Sequence, residues 1–327
     1  MRVLILGEQL RRPVPGGIGT YLRGLLQGLE EVGGVDVTVH TPTLPSPLVT
    51  RLWDWGVLRA PKGFDVVHAP SLATAASSSP MSVMVHDVAW RELPDAFPAR
   101  GRRWHEAALR RARRRASLLL VPSERTASLL GGDPRVRVVE EGSDHVAPAD
   151  EDGAARLLRS LGVSGPFVLT VSTLEPRKNL PRLVAAHRQA SVGMPLVVVG
   201  PAGWGPALAP ADGVVLAGFV DEGVKSALFG AARVVAYVPL LEGFGLPAVE
   251  AMRAGAVVVA SPMPSTGGAA LEVDPLSVES IAQGLRSAAT DESVRARLVS
   301  AGSKRAAELT WAAAARRHVA LWEELCR

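Results

Sequence analysis

The sequence predicts an α/β protein of two facing, Rossmann-like, doubly wound domains. Three observations carry the prediction. Short runs rich in Val, Leu and Ala recur between helical or loop stretches, the alternation expected of parallel sheets wound with helices. The chain has 327 residues, too many for one ordinary core, and 47% of them are hydrophobic. Between Asp144 and Gly165 the composition turns to Pro148, Asp150, Glu151, Asp152, Gly153 and Gly162, which reads as an interdomain connector with a short helix. The boundary is placed near Gly165, giving a first domain over 1–164 and a second over 165–305.

Residues 2–7 read as the first buried strand. The loop that follows, Arg11-Arg12-Pro13-Val14-Pro15-Gly16-Gly17-Ile18-Gly19-Thr20, enters an apolar-periodic helix through Leu29. Glycine N–H groups at a helix start can seat an anion, and a plain βα turn has the same pattern. The dinucleotide fingerprint fails, since the third glycine would fall at Leu22, which disfavours a nicotinamide enzyme. Strands follow at 35–40, 64–68, 81–86 and 118–121, with carboxyl ends expected to line a cleft. His86-Asp87 stands at one of those ends, where a histidine is either structural or a ligand contact. His40, His68 and His105 lack that context and read as structural.

From Arg100 to Arg115 eight arginines face one acid, Glu106, with Trp104 among them. Such a helix reads either as a solvated face or as a surface for an anionic membrane. With 5% aromatic residues and no recognition motif, nucleic acid is not expected as a partner. Asp150-Glu151-Asp152 has a metal-binding DxD spacing but lies in a linker, so no metal site is assigned. Met1–Gly7 is too short an apolar run for a signal core, and no run approaches membrane-spanning length. The single cysteine, Cys326, excludes a disulfide framework and suits a cytoplasmic protein.

The second domain opens with a strand at 167–171 and then Thr173-Leu174-Glu175-Pro176-Arg177-Lys178-Asn179-Leu180. Two cations at a helix N-terminus oppose its dipole, so an anion such as a diphosphate is expected between them unless the loop is only a charged surface. Strands at 196–200, 214–218, 234–239 and 257–261 complete the sheet. In Leu241-Glu242-Gly243-Phe244-Gly245-Leu246-Pro247-Ala248-Val249-Glu250, two glycines permit a tight turn and Pro247 opens a helix. Glu250 then falls in the opening turn, and both acids are expected to face one mouth suited to a polyol.

EGFGLP with a second glutamate eight positions after the first resembles the signature of the retaining glycosyltransferases of family 4, and EPRKNL is similar to members that use donors such as GDP-mannose. The resemblance covers nearly the whole chain and implies the GT-B fold, with a terminal helix, 306–327, crossing back to the first domain. It implies that Glu250 holds the donor ribose, that Arg177 and Lys178 hold the diphosphate without a metal, and that Glu242 faces the hexose. Gly243, Phe244, Gly245 and Leu246 complete the donor side. Gly16 and Gly17 approach the donor phosphates and acceptor, and His86, with Glu242, is the catalytic candidate. Ser265-Thr266-Gly267-Gly268 departs from the family's proline-glutamate at that place, where backbone N–H groups can substitute.

The implied activity is metal-independent, retaining transfer of a hexose, mannose favoured, from a nucleoside diphosphate sugar to a saccharide or lipid-linked hydroxyl. No cofactor is expected beyond the donor, GDP-mannose ahead of a UDP-sugar. The protein would be cytoplasmic and peripheral on the inner membrane face. A sugar-nucleotide epimerase of the same fold is the alternative.

Overall fold

A computed structural model describes residues 1–12, 16–205 and 211–327. Pro13, Val14 and Pro15 of the first glycine loop lie outside the described residues. The chain divides into two compact units, one of residues 1–145 and 309–327, the other of residues 146–308.

In the first unit the strands are β1 (Arg2–Leu6), β2 (Asp36–His40), β3 (Val66–Ala69), β4 (Met81–Met84), β5 (Leu118–Val121) and β6 (Val136–Val138), and the helices α1 (Gly16–Val32), α2 (Ser46–Asp54), α3 (Ala89–Glu92), α4 (Ala99–Arg115) and α5 (Glu124–Leu129). All strand pairs are parallel, in the order β2-β1-β3-β4-β5-β6. The side chains of β1 show why the apolar runs do not alternate with polar residues. Leu4 and Leu6 pack with Trp53 of α2 and Leu109 of α4, whereas Val3 and Ile5 pack with Tyr21, Leu22 and Leu25 of α1, so both faces of the sheet are covered.

The second unit has strands β7 (Val168–Val171), β8 (Leu196–Val199), β9 (Val214–Gly218), β10 (Val234–Tyr237), β11 (Val258–Ala260) and β12 (Leu271–Glu272). Its helices are α6 (Glu151–Ser160), α7 (Leu180–Ala190), α8 (Glu222–Ala231), α9 (Leu246–Arg253), α10 (Val278–Thr290) and α11 (Glu292–Glu308). The sheet is again parallel, in the order β12-β11-β10-β7-β8-β9. Val168, Val198 and Val234 form its core with Leu180 and Leu183 of α7 and Ile281 and Leu285 of α10.

The stretch from Val146 to Gly165, expected before the boundary, folds with the second unit. The Asp150 N–H donates to the Gly223 carbonyl at 2.9 Å, tying the start of α6 to α8. Asp150 caps α6 by accepting from the Gly153 N–H at 2.9 Å. At the other end, α12 (Trp311–Leu325) returns to the first unit, where Trp311 and Trp322 are fully buried against α1. A Cβ at Gly24 would lie 2.0 Å from the Trp311 ring, and one at Gly28 2.2 Å from its carbonyl oxygen, so the two glycines of α1 are what lets this helix dock.

Each strand order has one switch point, between β1 and β3 in the first sheet and between β7 and β10 in the second. Open α/β sheets bind ligands outside the carboxyl ends of such strands.

Candidate active site

The loops leaving β7 and β10 carry the motif residues of the second unit. They are joined chiefly by Asn179, whose left-handed backbone (φ 61°) lies between the 3₁₀ turn Pro176–Lys178 and α7. Its Nδ2 donates to the Val238 carbonyl at 3.0 Å and to the Pro275 carbonyl at 2.7 Å. The Leu240 N–H donates to the Arg177 carbonyl at 2.9 Å. The loop from β7 is thereby held against the loop from β10.

Within that frame Arg177, Lys178 and Glu242 meet. Arg177 Nη1 lies 3.0 Å from Glu242 Oε2, Lys178 Nζ 2.6 Å from Glu242 Oε1, and the Tyr237 hydroxyl donates to the same Oε1 at 2.9 Å. Arg177 Nη2 also reaches Glu175 Oε1 at 2.8 Å, and Lys178 Nζ donates to the Tyr237 oxygen at 2.8 Å. Burial alone would push the Glu242 carboxyl up. The charges of Arg177 and Lys178 override it and hold the carboxyl at about 2. The Tyr237 hydroxyl is pushed up by burial and by the Glu242 charge. The anion expected between the two cations is therefore present in the chain itself.

Glu250 has other partners. Its Oε2 lies 3.1 Å from Lys225 Nζ of α8, which also pairs with Glu222 at 2.7 Å. It is the fifth residue of α9, one place beyond the first turn, because the helix begins at Leu246 rather than at Pro247. Gly245 has φ 102°, and a Cβ there would lie 2.4 Å from Met263 Sδ. Ser265 braces this turn: its N–H donates to the Phe244 carbonyl at 3.1 Å and its hydroxyl to the Gly245 carbonyl at 2.8 Å. Gly243 links Glu242 to that braced segment.

In the first unit His86 follows β4. Its Nδ1 meets Glu141 Oε1 at 2.9 Å and its Nε2 the Pro70 carbonyl at 2.9 Å, just past β3. A carbonyl and a carboxylate both accept, so the two partners favour the ring protonated on both nitrogens. Burial lowers its pKa, and the Glu141 hydrogen bond and charge, with the Pro70 carbonyl, outweigh that and raise it. Tyr21 packs edge-on against the ring at 4.9 Å. Gly16, in the left-handed region, and Gly17 begin α1 with open space where a Cβ would stand.

The sequence reading gave no side-chain role to Glu175 or Ser265, which stand in strings it quotes, and missed Glu141, Lys225 and Tyr237. Tyr237 carried a faint signal as a polar ring ending an apolar run. Lys225 carried none, standing 25 positions from its partner Glu250.

The arginines of α4 divide into two sets. Arg111 pairs with Asp54 at 2.5 Å, Arg113 donates to the Leu130 carbonyl, and Arg115 donates to the Trp53 and Thr74 carbonyls. Arg100, Arg103, Arg110 and Arg114 are exposed along one stripe of the helix. Trp55 and Val57, each 69% exposed, lie within three residues of Asp54. Among the described residues no helix is long and apolar enough to cross a membrane.

Residues 160–305 match the family model described as Glycosyl transferases group 1. The chain is 27% identical over 256 residues to the O-antigen chain mannosyltransferase B of Escherichia coli, an alignment covering 69% of this chain and 65% of that protein. It is 29% identical over 164 residues to the serotype-specific mannosyltransferase WbdA of the same organism, covering 45% of this chain and 20% of WbdA. Among solved structures, Anabaena Alr3699/HepE in complex with UDP and glucose superposes with a TM-score of 0.74 at 20% identity, covering 99% of this chain and all of that one. The sucrose-phosphate synthase of Thermosynechococcus elongatus gives 0.73 at 20% identity, covering 99% and 98%. The alignments thus reach less than two thirds of the length of these mannosyltransferases, whereas the structural match spans the chain. The chain thus has the GT-B fold along its length and matches the Glycosyl transferases group 1 model over residues 160–305.

Proposed function

We propose that the protein is a retaining, metal-independent hexosyltransferase that moves mannose from GDP-mannose to a hydroxyl of a saccharide or lipid-linked acceptor. The observation that carries this reading is the meeting of Arg177, Lys178 and Glu242 at the switch point of the second sheet, with Glu250 on the helix that follows. Arg177 and Lys178 would take the charge that develops on the departing diphosphate. Glu250 would accept from the ribose hydroxyls, Glu242 would face the hexose, and the Gly243–Leu246 turn would let the donor approach the backbone. Gly16 and Gly17, open above their backbone, would admit phosphate or acceptor.

His86 would supply positive charge rather than a free hydrogen-bond donor, since both of its ring nitrogens are engaged by Glu141 and the Pro70 carbonyl. No strong protein nucleophile stands out, so the acceptor hydroxyl would attack on the face from which the diphosphate leaves. Mannose as the sugar draws support from EPRKNL and from two relatives named mannosyltransferases, and GDP as its carrier from the EPRKNL resemblance. The relatives are named as transferases, which leaves the epimerase alternative without support. The exposed stripe of α4, with Trp55 and Val57, supports an anionic membrane as the place where a lipid-linked acceptor is met.

A thermal-shift panel tests the reading. A ligand that binds only the folded protein adds about 2.7 kcal/mol at 100 times its Kd. GDP and GDP-mannose are expected to raise Tm more than UDP and UDP-glucose. No shift with any of the four would refute the donor reading, and a larger shift with the UDP pair would move the donor to UDP.

A further inference from the structure

The charges around the two cations sum to zero. Arg177 and Lys178 bring two positive charges and Glu175 and Glu242 two negative ones, with side chains only 13%, 12%, 4% and 10% exposed. A neutral, buried group of this kind has little net field with which to draw a diphosphate. The contacts are also saturated on one side. Glu242 Oε1 accepts from Lys178 and Tyr237, and Oε2 pairs with Arg177 Nη1, which donates to the Leu241 carbonyl at 3.0 Å, so the carboxylate holds the charges that phosphate oxygens would use. Diphosphate and Glu242 cannot share them, because two anions in one buried site repel strongly.

One carboxylate must therefore leave, and the local structure says which. Glu175 sits deeper, its N–H is bonded to the Thr173 carbonyl at 2.9 Å, and its carbonyl receives the Lys178 N–H at 3.0 Å. Glu242, the more exposed of the two carboxylates, lies in the connection between β10 and α9, and its side chain can swing off the cations by rotation about its own bonds while the braced backbone stays in place. Tyr237, the last residue of β10, stays behind with Lys178.

Resting on the donor reading above, we propose that Glu242 is a resident counter-anion. The donor's diphosphate exchanges it off Arg177 and Lys178, and the displaced carboxylate turns to the hexose. The exchange has a consequence for turnover. A nucleotide sugar offers Glu242 new hydroxyl partners when it leaves the cations, whereas a bare nucleoside diphosphate offers none. Glu242 therefore favours the intact donor over the product and, after transfer, returns to the cations and helps expel the diphosphate.

The test is calorimetry with inorganic pyrophosphate on the full-length wild type, Glu242→Gln and Glu242→Ala, each checked for folding by circular dichroism. Removing the competing charge should tighten pyrophosphate by about tenfold or more, while turnover of the nucleotide sugar collapses. The alanine variant guards against a glutamine oxygen that still accepts from Lys178. Pyrophosphate binding that is unchanged or weaker in both folded variants, or absent in all three proteins, overturns the exchange. Tighter pyrophosphate binding in the variants, with no nucleotide sugar bound or turned over by the wild type, supports the exchange and refutes the transferase donor reading instead.

Discussion

Acid should weaken the first unit through two buried histidines, and the loss can be assigned to one of them. A hydrogen-bond chain runs through its core. Trp322 Nε1–H donates to Ser82 Oγ at 2.8 Å, Ser82 to His68 Nδ1 at 2.9 Å, His68 Nε2–H to the Tyr21 oxygen at 3.0 Å, and Tyr21 to His318 Nε2 at 2.8 Å. His318 Nδ1–H ends it on the Ala314 carbonyl at 2.8 Å. Each link is satisfied with both imidazoles neutral, and a proton on His318 Nε2 would face the Tyr21 hydrogen. Burial lowers His68 well below 6.5 and His318 to about 4. The unfolded chain takes up these protons first, so the contribution is full above the unfolded pKa and is lost as pH falls toward the folded one. For His318 the gap from 6.5 to about 4 corresponds to about 3 kcal/mol. His86, held above its ordinary value by Glu141, works in the opposite direction and is common to both proteins compared.

Urea unfolding followed by tryptophan fluorescence reports this unit, because six of the seven tryptophans lie in it. His318→Gln keeps an acceptor for Tyr21 and cannot take a proton. Between pH 6 and 4.5 its stability should fall less steeply than that of the wild type, by up to about 1.4 kcal/mol per pH unit. Equal slopes in the two proteins would refute the assignment.

Three further outcomes are expected. Glu250→Ala should weaken donor binding by about 1.5 to 3 kcal/mol, the range for a hydrogen bond to a charged group, and unchanged affinity in calorimetry would remove its ribose role. Turnover should persist in EDTA, since Arg177 and Lys178 can take the leaving-group charge and Asp150 of the DxD spacing serves as a helix cap; loss restored by manganese would contradict this. Liposome co-sedimentation should rise with anionic lipid, fall with salt, and be lost when Arg100, Arg103, Arg110 and Arg114 become glutamine. Arg111 and Arg113 are left in place because they brace the fold, and equal sedimentation of wild type and variant would make the stripe a solvated face.

The central strands were legible in the sequence because a parallel strand covered on both faces must be apolar throughout, as Val3-Leu4-Ile5-Leu6 and Leu196-Val197-Val198-Val199 are. The edges were not. β6 is Val136-Arg137-Val138 and β12 only Leu271-Glu272, each paired on one side and free to carry a charge, so neither rises above its loop. The place of Glu250 slipped for a smaller reason. Counting from Pro247 as the first helical residue puts the acid in the opening turn, whereas Gly245, with φ 102°, starts the helix one residue earlier.

The site was legible as a list of charges and not as a circuit. Arg177, Lys178, Glu242 and Glu250 each stand in a local motif, and a motif tells which side chains carry charge. Which charges meet depends on strand order. β7 and β10 are neighbours although β8 and β9 lie between them in sequence, and that adjacency alone sets Lys178 against Glu242, 64 positions away. A chain that reads as two cations awaiting an anion thus folds with the anion already in place. On the proposed exchange, a diphosphate that binds there must be the stronger competitor, and the same topology that builds the seat would also supply the group that clears it.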